Sequence, residues 1–373
     1  MKNPLGQRLR ELPGPVLLTG HTGFKGAWMT LLLEHLDIPV VGYSLEAEKE
    51  SLFDRAQLIG AIPETFADIR DYETLENFID QHRPSTIIHM AAQPLVLKSY
   101  ENPRETFEVN VMGTVNVLDI AFKKGFVKAI IVVTTDKVYR NDNSGRAFVE
   151  TDPLEGKDPY SASKVGTESV VTAWQQIAKT SGGPKVVSVR AGNVIGGGDF
   201  ADNRIVPDIV RAAISTHVVE IRNPESTRPW QHVLDSLVGY LMFLDEVLGH
   251  TNITNLNFGP SKLNLPVGKL FEIAKIHFEN LEMVVQENEQ EIMREAKYLS
   301  LESRLAKSIG WESRWDQEEA IFRTFNWWRK YLTKESSADE LCKKEIIEYF
   351  SKSNQLKFEH VVDYFSLIKE SEI

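Results

Sequence analysis

The sequence predicts an α/β fold: a doubly wound, mostly parallel sheet with a smaller C-terminal lobe. Short runs rich in Val and Ile alternate with longer segments of helical spacing, the pattern of βα units feeding a parallel sheet. The short runs are apolar throughout, as expected of strands covered by helices on both faces. After Arg190 the pattern loosens into Gly196, Gly197, Gly198, Pro207, Pro224 and Pro229, which marks a change in organisation.

Taken in order, the expected strands are Val16–Thr19, Pro39–Tyr43, Thr86–Met90, Ala129–Thr134 and Lys185–Arg190, with Asn255–Phe258 as a possible return to the same sheet. The stretch from Asp316 to Tyr331 reads as a packed helix whose Phe322, Phe325, Trp327 and Trp328 belong to a core. From Lys334 the charge density rises in a helix-forming tail, an appendage that packs on the body or mediates assembly.

At 373 residues and 42% hydrophobic, the chain is long enough to bury a large core. Its 42 Lys and Arg against 53 Asp and Glu give a net charge of −11, which argues against nucleic acid or an anionic membrane as partner. A single cysteine, Cys342, excludes an internal disulfide and a cysteine-rich zinc site. No apolar run approaches the roughly 20 residues of a spanning helix, and the first residues are polar and charged. A cytoplasmic protein is expected.

The first chemical motif follows the first strand directly. Gly20-His21-Thr22-Gly23-Phe24-Lys25-Gly26 leads into an apolar helix through Leu33. Glycines here allow a tight turn and let backbone N–H groups approach a pyrophosphate at the helix N-terminus. This is the layout of a Rossmann-type dinucleotide site, with Gly20, Thr22, Gly23, Phe24 and Gly26 as cofactor-binding residues. The second strand ends Gly42-Tyr43-Ser44, without the acid that usually holds ribose hydroxyls. These residues therefore leave NAD against NADP open. Asp68, before Ile69 and Arg70, is either an acceptor for an adenine amino group or a loop cap.

The second motif, Tyr160-Ser161-Ala162-Ser163-Lys164, opens a helix and sets a phenol and an ammonium one turn apart on one face. A lysine charge beside a tyrosine is expected to draw its pKa down from about 10, so that the phenolate can take a proton from an alcohol. Residues 1–192, with return segments near 230–258, thus read as the dinucleotide-binding domain. Residues 193–333 read mainly as a substrate-binding lobe, and 334–373 as a helical C-terminal appendage.

Further segments carry a family resemblance: His89-Met90-Ala91-Ala92-Gln93-Pro94, Asn110-Val111-Met112-Gly113-Thr114, Thr134-Thr135-Asp136-Lys137, Arg190 through Asp199, and Ile221-Arg222-Asn223-Pro224 through Arg228-Pro229-Trp230-Gln231-His232-Val233. Together with the glycine loop they resemble the extended short-chain dehydrogenase/reductase family of nucleotide-sugar enzymes, from about Val16 to Trp315. The resemblance implies NAD as cofactor, with Asp68, Ile69, Ala91, Ala92, Tyr160 and Lys164 among its ligands, and a nucleotide-sugar as substrate. It also implies a homodimer or higher homo-oligomer.

Within that family the chain is most similar to the 4,6-dehydratases. The resemblance implies that Tyr160 deprotonates the sugar C4 hydroxyl as hydride leaves C4, with Thr135 hydrogen-bonding the same oxygen. The 4-ketone acidifies the C5 hydrogen, water is lost across C5 and C6, and hydride returns to C6. Asp136 and Lys137 stand where related dehydratases usually carry Asp-Glu, and the lysine looks like the CDP-glucose subgroup rather than the dTDP-glucose one. A lysine near its ordinary pKa of about 10.4 is protonated at pH 7 and must be desolvated or crowded by cations to act as a base. Lys137 is therefore either that base or an electrostatic clamp on the enolate.

By the same resemblance Gln93, Asn193, Arg204, Arg222 and Arg228 are expected to hold substrate. Asn193 and Arg228 fall to the diphosphate, and the Arg204–Pro207 stretch to the nucleotide base. Arg222 is either a diphosphate ligand or a surface charge. His89 and His232 lack partners at metal-ligand spacing, so no metal is expected. A 4-epimerase would need Tyr160 and Lys164 but not Asp136 and Lys137, and a non-catalytic cofactor binder would need neither pair.

Overall fold

The computed structural model describes residues 5–221, 223–249, 251–260, 265–285 and 298–351. Its centre is a seven-stranded sheet. The strands are β1 (Val16–Thr19), β2 (Val40–Ser44), β3 (Glu64–Phe66), β4 (Thr86–His89), β5 (Ala129–Val133), β6 (Lys185–Ala191) and β7 (Asn255–Phe258). They lie in the order β3-β2-β1-β4-β5-β6-β7, and every pairing is parallel. The order reverses between β1 and β4, where Thr19 pairs with His89. A ligand crevice is expected outside the carboxyl ends of the strands at such a reversal.

The expected strands lie where the apolar runs are, with ends shifted by a residue or so, and β7 does return to the sheet beside β6. Alternation along each strand explains why the runs are apolar throughout. Val16 and Leu18 face one core, with α1 (Phe24–His35) and α6 (Val233–Leu248). Leu17 faces the other, against α2 (Tyr72–His82), α3 (Gly113–Lys123) and α4 (Pro159–Ser181). The two faces of each strand feed two separate hydrophobic clusters.

Beyond β6, α5 (Ile205–Ile214), α7 (Val267–His277) and α8 (Gln317–Leu332) pack beside the first of those cores. Phe325, Trp327 and Trp328 are buried in it and Phe322 packs against it, as expected of core aromatics. The tail forms α9 (Ala338–Phe350), which begins with a Ser337–Glu340 capping box and packs on α1. Its Tyr349 hydroxyl donates to Asp235 Oδ1 at 2.8 Å. Residues 352–373 of the tail lie outside the described residues. Among the described residues no helix is long and apolar enough to cross a membrane.

Candidate active site

The glycine loop joins β1 to α1 at the sheet's reversal point. Gly20 has φ 75°, and a Cβ there would stand 2.7 Å from the Ala91 nitrogen, so only glycine lets the loops after β1 and β4 meet. A Cβ on Gly26 would stand 2.1 Å from the Gly20 carbonyl oxygen. Gly23 caps α1 with no side-chain hydrogen bond, leaving first-turn N–H groups for an anion. Thr22 closes the turn from behind: its Oγ1 lies 2.7 Å from Ser44 Oγ and donates to the Leu45 carbonyl at 3.0 Å. Phe24 packs on the core.

The acid missing from the end of β2 has a counterpart on β3. Glu64 Oε2 lies 2.8 Å from His21 Nε2, and the imidazole fills the space that a Cβ on Gly42 would need. Asp68 accepts from the Arg70 backbone at 2.8 Å and from its guanidinium at 2.6 Å. That hydrogen bonding holds its carboxyl below the usual range. Ile69 is buried in the second core, leaving only its backbone to a cofactor. Ala91 and Ala92, partly buried, follow β4 beside Gly20.

The phenol and amine of the second motif lie together on the first turns of α4, which is capped by Asp158 and carries Pro159 at its start. Lys164 Nζ donates to the Val133 carbonyl at 3.1 Å, at the end of β5. The chain then turns through Thr135, Asp136 and Lys137. Thr135 hydrogen-bonds the Tyr160 phenol, and its Oγ1 donates to Asp136 Oδ1 at 3.1 Å. Lys137 Nζ stands 3.4 Å from the same oxygen. Asp136 is fully buried, and among the described residues its Oδ2 has no hydrogen-bond partner.

The expected lowering of the Tyr160 pKa is not what the structure gives. Burial pushes the phenol up to about 12, against the Thr135 hydrogen bond and the Arg204 charge. Burial likewise pushes the Lys164 ammonium down to about 8, with Glu168 opposing. Desolvation penalises both charged forms at once, so proximity alone does not activate this pair.

The substrate candidates divide. Asn193 has a buried Oδ1 without a partner among the described residues and lies beside Gly192, where a Cβ would stand 3.2 Å from Asp136 Oδ2. Arg204 pairs with Asp199 at 3.0 Å, and its charge bears on Tyr160 and Lys25. It thus belongs beside the phenol rather than only beside a base. Arg228 donates to the Thr227 carbonyl at 2.9 Å. Gln93 is engaged at both ends of its amide: it accepts from the Leu95 nitrogen at 2.7 Å and donates to Thr106 Oγ1 at 3.0 Å. Its side chain braces the loop after β4. Arg222 lies outside the described residues. Among the described residues no His, Cys, Asp and Glu cluster could hold a metal ion.

Sequence reasoning missed Lys25, the single charge in the apolar stretch 24–33, and Tyr240 on α6. Lys25 Nζ donates to the Tyr240 hydroxyl at 3.3 Å. Its charged neighbours are Arg204, Lys164, Asp136 and Lys137.

A glycine cradle with an uncapped helix N-terminus, at the reversal point of a parallel sheet and beside a tyrosine–lysine pair, defines a Rossmann-type enzyme built around a dinucleotide. The chain belongs to the NAD dependent epimerase/dehydratase family, whose model matches residues 16–257. It is 38% identical, over 90% of its length and 96% of the relative's, to CDP-glucose 4,6-dehydratase of Salmonella typhimurium. Its fold is similar to those of UDP-glucose 4-epimerase from Thermotoga maritima and dTDP-glucose 4,6-dehydratase from Bacillus anthracis. The former gives a TM-score of 0.73 at 23% identity, covering 85% of this chain and 99% of that one. The latter, a complex with NAD, gives 0.70 at 21% identity, covering 85% and 97%.

Proposed function

We propose that this enzyme is a nucleotide-sugar 4,6-dehydratase that converts CDP-glucose to CDP-4-keto-6-deoxyglucose. The observation that carries this reading is the buried Asp136 carboxyl group, with one oxygen unpartnered among the described residues, set with Lys137 beside Thr135 and Tyr160. Alcohol oxidation alone needs the phenol; an additional acid and cation at the same place fit elimination. The choice of CDP-glucose rests on the Salmonella relative and on lysine at position 137.

The glycine loop, the α1 N-terminus, Ala91, Ala92 and Lys164 would hold NAD, which supplies a reversible acceptor for hydride. Tyr160, with Thr135 on the same oxygen, takes the proton of the C4 hydroxyl. The 4-ketone then makes the C5 hydrogen acidic. Lys137, a third exposed and 3.4 Å from the Asp136 carboxyl, takes the C5 proton on its neutral amine, clamps the enolate as the ammonium so formed, and returns the proton to C5 when hydride reaches C6. Asp136 gives its proton to the departing C6 hydroxyl. Asn193 and Arg228 would hold the diphosphate and the Arg204–Pro207 stretch the nucleotide base, within a substrate-binding region drawn mainly from residues 193–333.

Tyr100, Phe107, Met112 and Ile177 are exposed on neighbouring helices, and their apolar surface supports assembly of two copies there. Cys342 is buried and its thiol pushed well up by burial, which suits a cytoplasmic protein with no disulfide chemistry.

Purified protein given CDP-glucose and NAD should yield a product lighter by one water, with no net accumulation of NADH. A product of unchanged mass would identify a 4-epimerase instead. No turnover of any CDP-, dTDP-, GDP- or UDP-hexose, with dinucleotide shown to be bound, rules the reading out.

A further inference from the structure

The turn that carries Thr135, Asp136 and Lys137 is only loosely tied within itself. Lys137 N donates to Thr135 Oγ1 at 3.3 Å, Val138 N to the Thr135 carbonyl at 3.5 Å and Tyr139 N to the Asp136 carbonyl at 3.4 Å. An ordinary N–H···O bond measures about 2.9 to 3.0 Å. The position of these side chains relative to Tyr160 is therefore set from the two ends of the turn.

Thr134 holds the upstream end: its nitrogen donates to the Val189 carbonyl at 2.8 Å and its Oγ1 to Glu168 Oε1 at 2.6 Å. Just beyond Lys137, Tyr139 holds the downstream end. Its ring is buried and stacks on Phe148, with centroids 5.0 Å apart and planes 4° from parallel. Its hydroxyl accepts from Arg190 Nη1 at 2.8 Å and donates to Asn257 Oδ1 at 2.7 Å. Backbone bonds at this end, Glu155 N to the Val138 carbonyl and Arg140 N to the Pro153 carbonyl, each at 2.8 Å, reach only the excursion that follows. The hydroxyl reaches the sheet, because Arg190 lies on β6 and Asn257 on β7. Arg190 Nε in turn donates to Glu168 Oε1 at 2.8 Å, and Asn257 Nδ2 to the Phe148 carbonyl at 3.0 Å. One chain of contacts thus runs from α4, the helix of Tyr160 and Lys164, to both flanks of the turn: from Glu168 directly to Thr134, and through Arg190 to Tyr139.

We propose that the Tyr139 hydroxyl is a positioning group that holds Asp136 and Lys137 in register with Tyr160, so that C4 oxidation runs on into water loss. Its hydrogen is given to Asn257 and its oxygen accepts from Arg190, so it acts through the turn rather than on the sugar. Thr135 adjoins the Thr134 anchor, whereas Asp136 and Lys137 lie toward the Tyr139 anchor. Loss of the hydroxyl therefore loosens the groups of the elimination more than those of the oxidation. C4 oxidation sends hydride to NAD and a proton to Tyr160, so a cycle interrupted at that point leaves a 4-ketone, lighter than substrate by two hydrogens, beside reduced nicotinamide.

Since this role rests on the dehydratase reading, the experiment separates the two. NAD-loaded enzyme in excess is mixed with CDP-glucose, reduced nicotinamide is followed by absorbance, and quenched samples are weighed by mass spectrometry. Wild type should pass to the product lighter by one water without build-up of the 4-ketone. Tyr139→Phe keeps the ring on Phe148; it should slow hydride transfer by less than about threefold and water loss by about tenfold or more, so that ketone and reduced nicotinamide accumulate. Asn257→Leu, similar in size but without the acceptor, should show the same accumulation in weaker form and gives the answer if Tyr139→Phe does not fold. Phe148→Leu, which loosens the ring packing and leaves both hydroxyl bonds, should show none. Both steps unchanged or slowed alike in the Tyr139 and Asn257 variants, or the same accumulation in Phe148→Leu, would overturn the positioning role while leaving the dehydratase intact. No water loss by wild type from any CDP-, dTDP-, GDP- or UDP-hexose would sink the dehydratase reading and this role with it.

Discussion

Glu168→Gln should be among the most damaging single changes outside the reacting groups. Glu168 sits one turn beyond Lys164 on α4 and is buried against the sheet. It accepts from Arg190 Nε and Nη2, each at 2.8 Å, from Thr134 Oγ1 at 2.6 Å and from Ser188 Oγ at 2.8 Å. Those donors come from β6 and the end of β5, so one carboxylate fixes α4 to the strand that leads into Thr135. Arg190, whose side chain is 3% exposed, forms its ion pair with Glu168; its other hydrogen bonds are to the Tyr139 hydroxyl and the Glu150 carbonyl, and the Glu150 carboxylate bears on it only through space. Removing the carboxylate charge strands a buried guanidinium, at a cost of about 3 to 5 kcal/mol. Adding Arg190→Met should recover a large part of that loss, because the stranded charge is gone. Burial alone would raise the Glu168 carboxyl, but the Arg190, Thr134 and Ser188 contacts outweigh it and hold it below its usual value. A depressed folded pKa means that this stability is present above the unfolded value of about 4.3 and lost as pH falls through the folded one. The gap between wild type and variant should therefore be widest at pH 7 and narrow below about pH 4. Urea unfolding of the two single variants and the double variant at both pH values measures it. A gap under about 1 kcal/mol at pH 7, or no recovery in the double variant, would refute the reasoning.

Two further outcomes follow from other buried groups. Gly26→Ala places a methyl 2.1 Å from the Gly20 carbonyl oxygen and 2.6 Å from the His21 Cα. Both are backbone atoms of the cradle, so NAD affinity by calorimetry should fall by about tenfold or more, and an unchanged Kd would contradict that assignment. His89, buried between Thr19 and Thr114, and His277 are both pushed by burial down to about 3. Neutral when folded, each contributes stability that is present above about 6.5 and lost as pH falls toward 3, and the pair adds a slope of about 2.7 kcal/mol per pH unit near 5. His89→Gln should remove about half of that contribution in unfolding titrations, and no change in slope would count against it.

The sheet was legible because its strands are buried on both faces. Runs such as Ala129–Val133 need no alternation to be recognised, and a glycine loop between such a run and an apolar helix has few other uses. β3 was harder to place: Glu64–Phe66 is short, partly exposed and carries the Glu64 that engages His21. Tyr160, Lys164 and Thr135 to Lys137 could be singled out because each group is contiguous or one helical turn long. What sequence reading did not show was set by contacts across distant segments. Gln93 is occupied by Leu95 and Thr106, and Arg204 is brought near Tyr160 through Asp199. Lys25 looked like one letter of a glycine motif until α6 placed Tyr240 at its tip.

The same contacts change what the tyrosine–lysine pair means. A buried phenol up at about 12 beside an amine down at about 8 is not a ready base. Its ionisation depends on the Thr135 hydrogen bond and on the positive charge gathered around it. The chain carries a net charge of −11, yet it brings Lys25, Lys137, Lys164 and Arg204 around the buried Asp136. The overall acidic balance repels extended polyanions, while this local gathering of cations would suit a small one. Alcohol oxidation and water loss would draw on one shared reserve of charge, so replacing Lys137, Lys164 or Arg204 should alter both steps together.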